Sequence, residues 1–201
     1  YDDKITKIRN KTAGKLIIKE YPTASAHAGH FRALLNELAL KKSFRPNVIF
    51  IDYLNICSSS RFKGGNISSY FFIKAIAEEL RGLAVEFNVP IFSATQTTRT
   101  GFVSTDIGLE DTSESFGLPA TADFMFALIS NEELEALGQM KIKQLKNRYN
   151  DPSINRSFIV GVDRAKMKLY DVSVNAQNIV DSNQREPTVK TSYDKFSDFK
   201  I

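Results

Sequence analysis

Two short apolar runs, each ending in a polar residue and joined by one amphipathic helix, constrain this chain more than anything else in it. Residues 48–51 read Val-Ile-Phe-Ile and run into Asp52. Residues 91–94 read Ile-Phe-Ser-Ala and lead through Thr95 to Gln96. Continuous β-branched and aromatic runs are expected of strands buried on both faces. Between them, residues 70–87 put Phe71, Ile73, Ile76, Leu80, Leu83, Ala84 and Phe87 on one broad helical face, and Asn88-Val89-Pro90 stops the helix. Strand, helix, strand in that order predicts an α/β fold with a mostly parallel twisted sheet flanked by helices. In such sheets the chemistry sits at the carboxyl ends of the strands.

The remaining elements extend this order. Residues 15–19 (KLIIK) read as a short strand, and residues 25–40 as a helix with Ser25 as its N-cap. Residues 58–69 are polar, contain Gly64-Gly65, and read as a loop. Residues 95–122 form a long stretch rich in Thr, Ser, Gly and Asp, and a loop of that length in a compact domain is usually functional or disordered. Residues 124–129 predict another buried strand. Asn131 is placed to cap a short helix through Leu137 that Gly138 ends. Residues 140–146, 158–162 and 168–172 predict three final strands, with a turn at Asp163-Arg164. From Asn175 the chain is polar and contains Pro187, as expected of a surface or flexible tail.

Composition sets the class. At 201 residues, 42% hydrophobic and 25% charged, the chain is long and apolar enough to bury a core of its own. Its longest apolar runs fall far short of the roughly 18 residues a membrane span needs, and its polar start lacks a signal-peptide h-region. A single cysteine, Cys57, cannot form an internal disulfide, which suits a reducing intracellular setting. The net charge of +4 permits a nucleic-acid partner without requiring one. Lys141, Lys143, Lys146 and Arg148 form a cluster free of acids, for which a solvated strand edge is as good an expectation as a binding surface.

Four residues stand out chemically. Asp52, just past a buried strand, can hold Mg2+ through water, although an Asp there also caps turns. Gln96 ends the next strand, where its amide can orient a water or sense a phosphate. Lys146 and Arg148 lie two apart on extended chain and so share a face; together they can grip one anion, the lysine as a point charge and the arginine bidentately. An exposed basic strand is the plain alternative. His27 and His30 have a ligand-compatible spacing but no Cys or acid nearby in sequence, which favours a surface helix.

These segments resemble a known family in order and spacing. Residues 48–54 (VIFIDYL) look like the Walker B strand of DnaB-family hexameric helicases, and residues 92–99 (FSATQTTR) resemble its sensor strand. Residues 111–123 (DTSESFGLPATAD) are similar to its DNA-contacting loop, with Glu114, Ser115, Ala122 and Asp123 in register. Lys146-Asn147-Arg148 resembles its Lys-x-Arg finger, and residues 19–38 are similar to the Tyr-Pro-Thr segment of T-even-type phage helicases. There are departures. The family's G-x-x-x-x-G-K-[ST] loop and its catalytic glutamate have no counterpart here, and in the DNA loop Ser113 and Phe116 replace the family's Arg and Gly.

The resemblance implies a RecA-like ATPase domain, lacking its N-terminal part, over residues 1–174, followed by a tail over 175–201. It implies part of an ATP-dependent replicative helicase: a homohexameric ring moving 5′ to 3′ on single-stranded DNA, with ATP and Mg2+ as cofactors. Asp52 would hold the metal, Gln96 would couple the γ-phosphate to the DNA loop, and Lys146 and Arg148 would act on the neighbouring subunit's nucleotide. Arg61, Lys63, Arg99, Ser113, Glu114, Ser115, Phe116 and Gly117 would line the DNA channel. Primase, a helicase loader and single-strand-binding protein are the implied partners, the cytoplasm of a phage-infected bacterium the implied setting, and no membrane is involved. Without the phosphate loop this chain alone is expected not to hydrolyse ATP. The alternatives are another RecA-like ATPase, such as a recombinase or clock-type hexamer, and a non-catalytic scaffold that binds DNA or partners.

Overall fold

The structure, a computed structural model, describes residues 2–11, 14–62, 67–97, 107–109, 117–151, 154 and 156–173. The chain divides into two compact units, Tyr1–Thr95 and Gln96–Ile201.

The first unit opens with helix α1 (Asp2–Lys11), whose first turn carries Asp2 and Asp3 where negative charge suits the helix dipole. Residues 15–19 are not a strand; Leu16 and Ile18 are exposed, because no neighbouring strand offers a ladder to this short run among the described residues. Helix α2 (Ala28–Lys42) starts later than Ser25. Ser25 instead closes a turn by donating to the Pro22 carbonyl, and His27 takes the cap: its Nδ1 accepts from the Gly29 amide at 3.0 Å. Gly29 is required there, since a Cβ would lie 2.7 Å from the His27 ring. His30 in turn accepts at Nδ1 from the His27 amide at 3.3 Å. Both histidines are therefore spent on the helix start, and no group of three or more metal-ligating side chains occurs among the described residues.

Strands β1 (Ile49–Ile51) and β2 (Ile91–Ser93) pair in parallel, with Ile49 opposite Ile91 and Ile51 opposite Ser93. A parallel pair needs a crossover, and helix α3 (Ser69–Phe87) supplies it. Its apolar stripe forms the core: Ile73, Ile76, Leu80 and Leu83 are buried, with Leu83 fully so, as are Leu35 and Leu38 of α2. Burying a Leu or Ile side chain of this kind is worth about 1.5–3 kcal/mol. Arg32 of α2 clamps Glu86 of α3 at 2.7 Å across the packed pair. Phe71, expected on the apolar face, is exposed instead. The strands are also less buried than their composition predicts. Phe50 is 72% exposed and stacks on Phe92 at 5.4 Å, because among the described residues no layer covers that face of the pair.

The turn after β1 is held by one carboxylate. Glu79 of α3 accepts from Ser59 Oγ at 2.5 Å, from Ser60 Oγ at 2.9 Å and from the Ser60 amide at 3.0 Å. Burial opposes the charge on Glu79, but these bonds, with one from the Arg61 amide, outweigh it and hold the carboxyl below its ordinary range. Cys57 is buried, and burial pushes its thiol up.

In the second unit, the short helix α4 (Gly117–Thr121) precedes strand β3 (Phe124–Ile129), and helix α5 (Glu132–Ala136) connects it to β4 (Gln139–Asn147). Asn131 caps α5 by accepting from the Leu134 amide at 2.8 Å, and Gly138, at φ +62°, ends it as the sequence predicts. β5 (Ser157–Asp163) and β6 (Lys168–Asp171) complete an antiparallel sheet ordered β3-β4-β5-β6. The α/β class holds, with parallel pairing confined to β1 and β2 among the described strands. Only Ala127 and Ile129 of β3 are buried, so it is a half-covered strand rather than a fully buried one. Ala127 and Ile129 face inward with Ile107, and Leu145 packs on them. No helix among the described residues is long and apolar enough to cross a membrane.

Replacing Glu79 by Gln should cost about 1–3 kcal/mol at neutral pH, as expected when a charged acceptor of several hydrogen bonds is neutralised. Because Glu79 titrates lower folded than unfolded, its contribution is present above the ordinary carboxylate range and disappears as pH falls through its own lowered value. Urea denaturation of both forms at neutral and strongly acidic pH should therefore show their stabilities converging in acid.

Candidate functional site

At the carboxyl edge of the parallel pair, side chains lace the two strand ends together. Ser93 Oγ donates to the Ile51 carbonyl at 2.8 Å, the Leu54 amide to the Ala94 carbonyl at 3.1 Å, and Thr95 Oγ1 to Asn55 Oδ1 at 2.9 Å. Asp52 sits on this edge with an exposed side chain, at a cis peptide to Tyr53. Being exposed, its carboxylate can offer oxygen to a hydrated hard cation. Gln96 is also exposed; it begins the second unit.

Of the residues expected to line a DNA channel, Arg61 and Gly117 are described. Arg61 follows the turn that Glu79 holds, and its guanidinium is ion-paired with Glu78. A phosphate approaching Arg61 meets that pair first. Gly117 is buried at the start of α4, and its carbonyl accepts from Thr121 Oγ1 at 2.9 Å. Lys63, Arg99, Ser113, Glu114, Ser115 and Phe116 lie outside the described residues, as does the tail from Asn175.

The basic cluster is not a solvated strand edge. β4 lies between β3 and β5, and three cations of the cluster have distinct places. Lys143 is buried and donates to the Ile107 carbonyl at 2.7 Å, so a lysine straps that segment to the sheet. Near the end of β4 the register slips: Gln144 pairs with Phe126, but Lys146 pairs with Met125. Leu145 is the extra residue of a bulge, and bulges re-aim the side chains that follow. The Lys146 ammonium donates to the carbonyl of Pro119 at 2.5 Å and reaches that of Ala120 at 3.5 Å. Arg148, just past the strand, donates its amide to the Asp123 carbonyl at 3.0 Å, while its guanidinium pairs with Asp123 Oδ1 at 2.8 Å. The two cations singled out by their spacing are thus brought together on one segment, residues 119–123.

In each unit, side chains that organise its candidate residues were not singled out by the sequence. Asp123 carried only a match in register, yet it binds Arg148 by both backbone and side chain. Glu78 and Glu79 read as ordinary polar positions of α3; only a serine-rich loop upstream of them hinted at a role. Lys143 looked like its neighbours in the cluster, and nothing in a strand's alternation marks a lysine as the inward residue.

No family model matches the chain. Over 173 residues it is 48% identical to the DnaB-like replicative helicase of Enterobacteria phage T4, covering 86% of this chain and 36% of that protein. The chain thus spans about a third of that relative's length. Among solved structures, a DnaB-like replicative helicase studied for its interactions with primase superposes with a TM-score of 0.67 over 86% of this chain and 41% of its own, at 18% identity. A second solved structure, an isolated ATPase domain, superposes with a TM-score of 0.63 over 85% of this chain and 65% of its own, again at 18% identity. At that identity the structures speak for the fold, and the fold is that of RecA-like helicase ATPase domains. With nearly half its matched residues identical to those of a phage replicative helicase, and with its fold shared with a second such helicase, the chain belongs to the DnaB-like replicative helicase family.

Proposed function

We propose that this chain works within an ATP-driven replicative helicase, as the part that carries the strand-end carboxylate and the cations offered to a neighbouring subunit's nucleotide. The observation that supports it most is the 48% identity to a replicative helicase across 86% of the chain. In this reading six copies form a ring around single-stranded DNA and move 5′ to 3′. Primase, a loader and single-strand-binding protein are its partners in the cytoplasm of an infected bacterium.

The chemistry asked of the chain is modest. Phosphoryl transfer needs positioning and charge stabilisation more than covalent work. Asp52 has the donor type and exposure to orient hydrated Mg2+, which would neutralise charge on the phosphate oxygens. Gln96, exposed just after β2, can hold a water or report on a γ-phosphate. Arg148 can stabilise the charge that spreads over the transferred phosphoryl group, with Lys146 beside it, and such a finger contributes about 10³–10⁵ in rate. Arg61 can exchange Glu78 for a DNA phosphate, a contact indifferent to base sequence. The phosphate-cradling loop has no counterpart in this sequence, so in this reading other residues of the working protein contribute it. That same lack is what favours the second reading, a scaffold that binds DNA or partners without hydrolysis.

This chain purified by itself should show no ATP turnover above background; turnover that Asp52→Asn removes would contradict this. In the full-length protein, single-stranded DNA should stimulate hydrolysis, and Arg148→Ala should lower the stimulated rate by about 10³-fold or more while nucleotide still binds. Mixing Arg148→Ala subunits into wild-type assemblies should depress activity more steeply than their fraction, because each finger serves a neighbour. Normal hydrolysis by Arg148→Ala would remove the finger assignment, and no DNA-stimulated hydrolysis by the wild type would favour the scaffold.

A further inference from the structure

Both cations proposed to reach a neighbour's nucleotide are already engaged within their own chain, and by the same few residues. Lys146 holds the carbonyls of Pro119 and Ala120, and Arg148 holds Asp123. We propose that residues 119–123 are a berth for Lys146 and Arg148, so that gripping a nucleotide and holding this segment are mutually exclusive. The proposal rests on the finger reading above and names the device that regulates it.

Three features make the berth a switch in physical terms. The Arg148–Asp123 pair is weak: its side chains are 50% and 35% exposed, and pairs that open to water are strongly screened. A triphosphate carries more charge and takes the guanidinium bidentately, so it outcompetes a single carboxylate. And Asp123 cannot simply travel along, because a carboxylate held beside phosphate oxygens is repelled by them. When the cations leave, the segment loses side-chain anchors at both its ends. What remains includes the Arg148 amide bond to Asp123, the Ala122 amide bond to Leu118 and the Thr121 bond to Gly117. Nucleotide bound to one subunit would in this way loosen α4 of its neighbour, and whatever binds the chain just upstream of α4 would feel it. Asp123 is then a positioning residue acting through Arg148.

The coupling can be measured on the full-length protein with a labelled single-stranded oligonucleotide. In wild type, a non-hydrolysable ATP analogue with Mg2+ should change the oligonucleotide's Kd by about 2–5-fold, the most that a screened ion pair can transmit. Reciprocity requires the oligonucleotide to change the analogue's Kd by the same factor. Asp123→Asn should bring this factor close to one and raise DNA-independent hydrolysis several-fold, whereas Asp123→Glu should restore both. A wild-type measurement avoids dependence on the variant's folding: amide hydrogen exchange at Ala122 and Arg148 should speed up when the analogue binds. Unchanged coupling in Asp123→Asn, a fall in its DNA-independent hydrolysis, or slower exchange on nucleotide binding would each overturn the berth. Those failures are separable from failure of the finger, which shows only as normal hydrolysis by Arg148→Ala.

Discussion

Two parallel strands cannot be joined by a turn, and the need for a crossover governs the first unit of this chain. The helix that meets it, α3, must span the length of the strands and return the chain to the same edge. In doing so it buries Ile76 and Leu83 almost completely, and these side chains fix its rotation. With the rotation fixed, Glu78 and Glu79 face the loop after β1, and Arg32 of α2 meets Glu86. The carboxyl ends of β1 and β2 are then held side by side, which presents Asp52 on an edge rather than in a core. One hydrophobic stripe thus determines where a carboxylate is offered and how the adjacent loop is anchored.

The second unit solves a different problem. Its four strands follow one another with short connections, which permit only antiparallel neighbours. Such a sheet has a regular alternation, and two cations two residues apart fall on one side of it. The bulge at Leu145 breaks the alternation once and sets Lys146 opposite Met125, with Arg148 just past the strand. Lys143, two residues before the bulge, faces inward and binds the Ile107 carbonyl instead. Two lysines three apart, which an unbroken ladder would put on opposite faces, are set on one face by a single slip in register.

What the sequence made legible was periodic or punctuated. The stripe of α3, its stop at Asn88, the Asn131 cap and Gly138 end of α5, and the three late strands were all readable, because each depends on local spacing. So was the grouping of Lys146 with Arg148, since residues two apart on extended chain share a side. Burial is harder to read. Apolar composition reports what a strand tolerates, not whether a layer covers it, and the exposed Phe50 and Phe92 show the difference. The N-cap of α2 falls on His27 rather than Ser25 because a histidine accepting through Nδ1 can do the work usually given to a serine. Asp123 and Glu79 act through partners far away in sequence, and a single sequence contains no signal that joins them.

The bulge also bears on how this strand can vary. Inserting or removing one residue within a regular ladder turns every following side chain to the opposite face. At residue 145 the ladder is already interrupted, so a one-residue change there disturbs little of the sheet's hydrogen bonding. Removing Leu145, for example, would leave Lys146 opposite Met125 and so on the same face. The spacing between these cations is therefore the less informative measure when related chains are compared. The β3 residue that stands opposite Lys146 is the quantity that decides where the charge points.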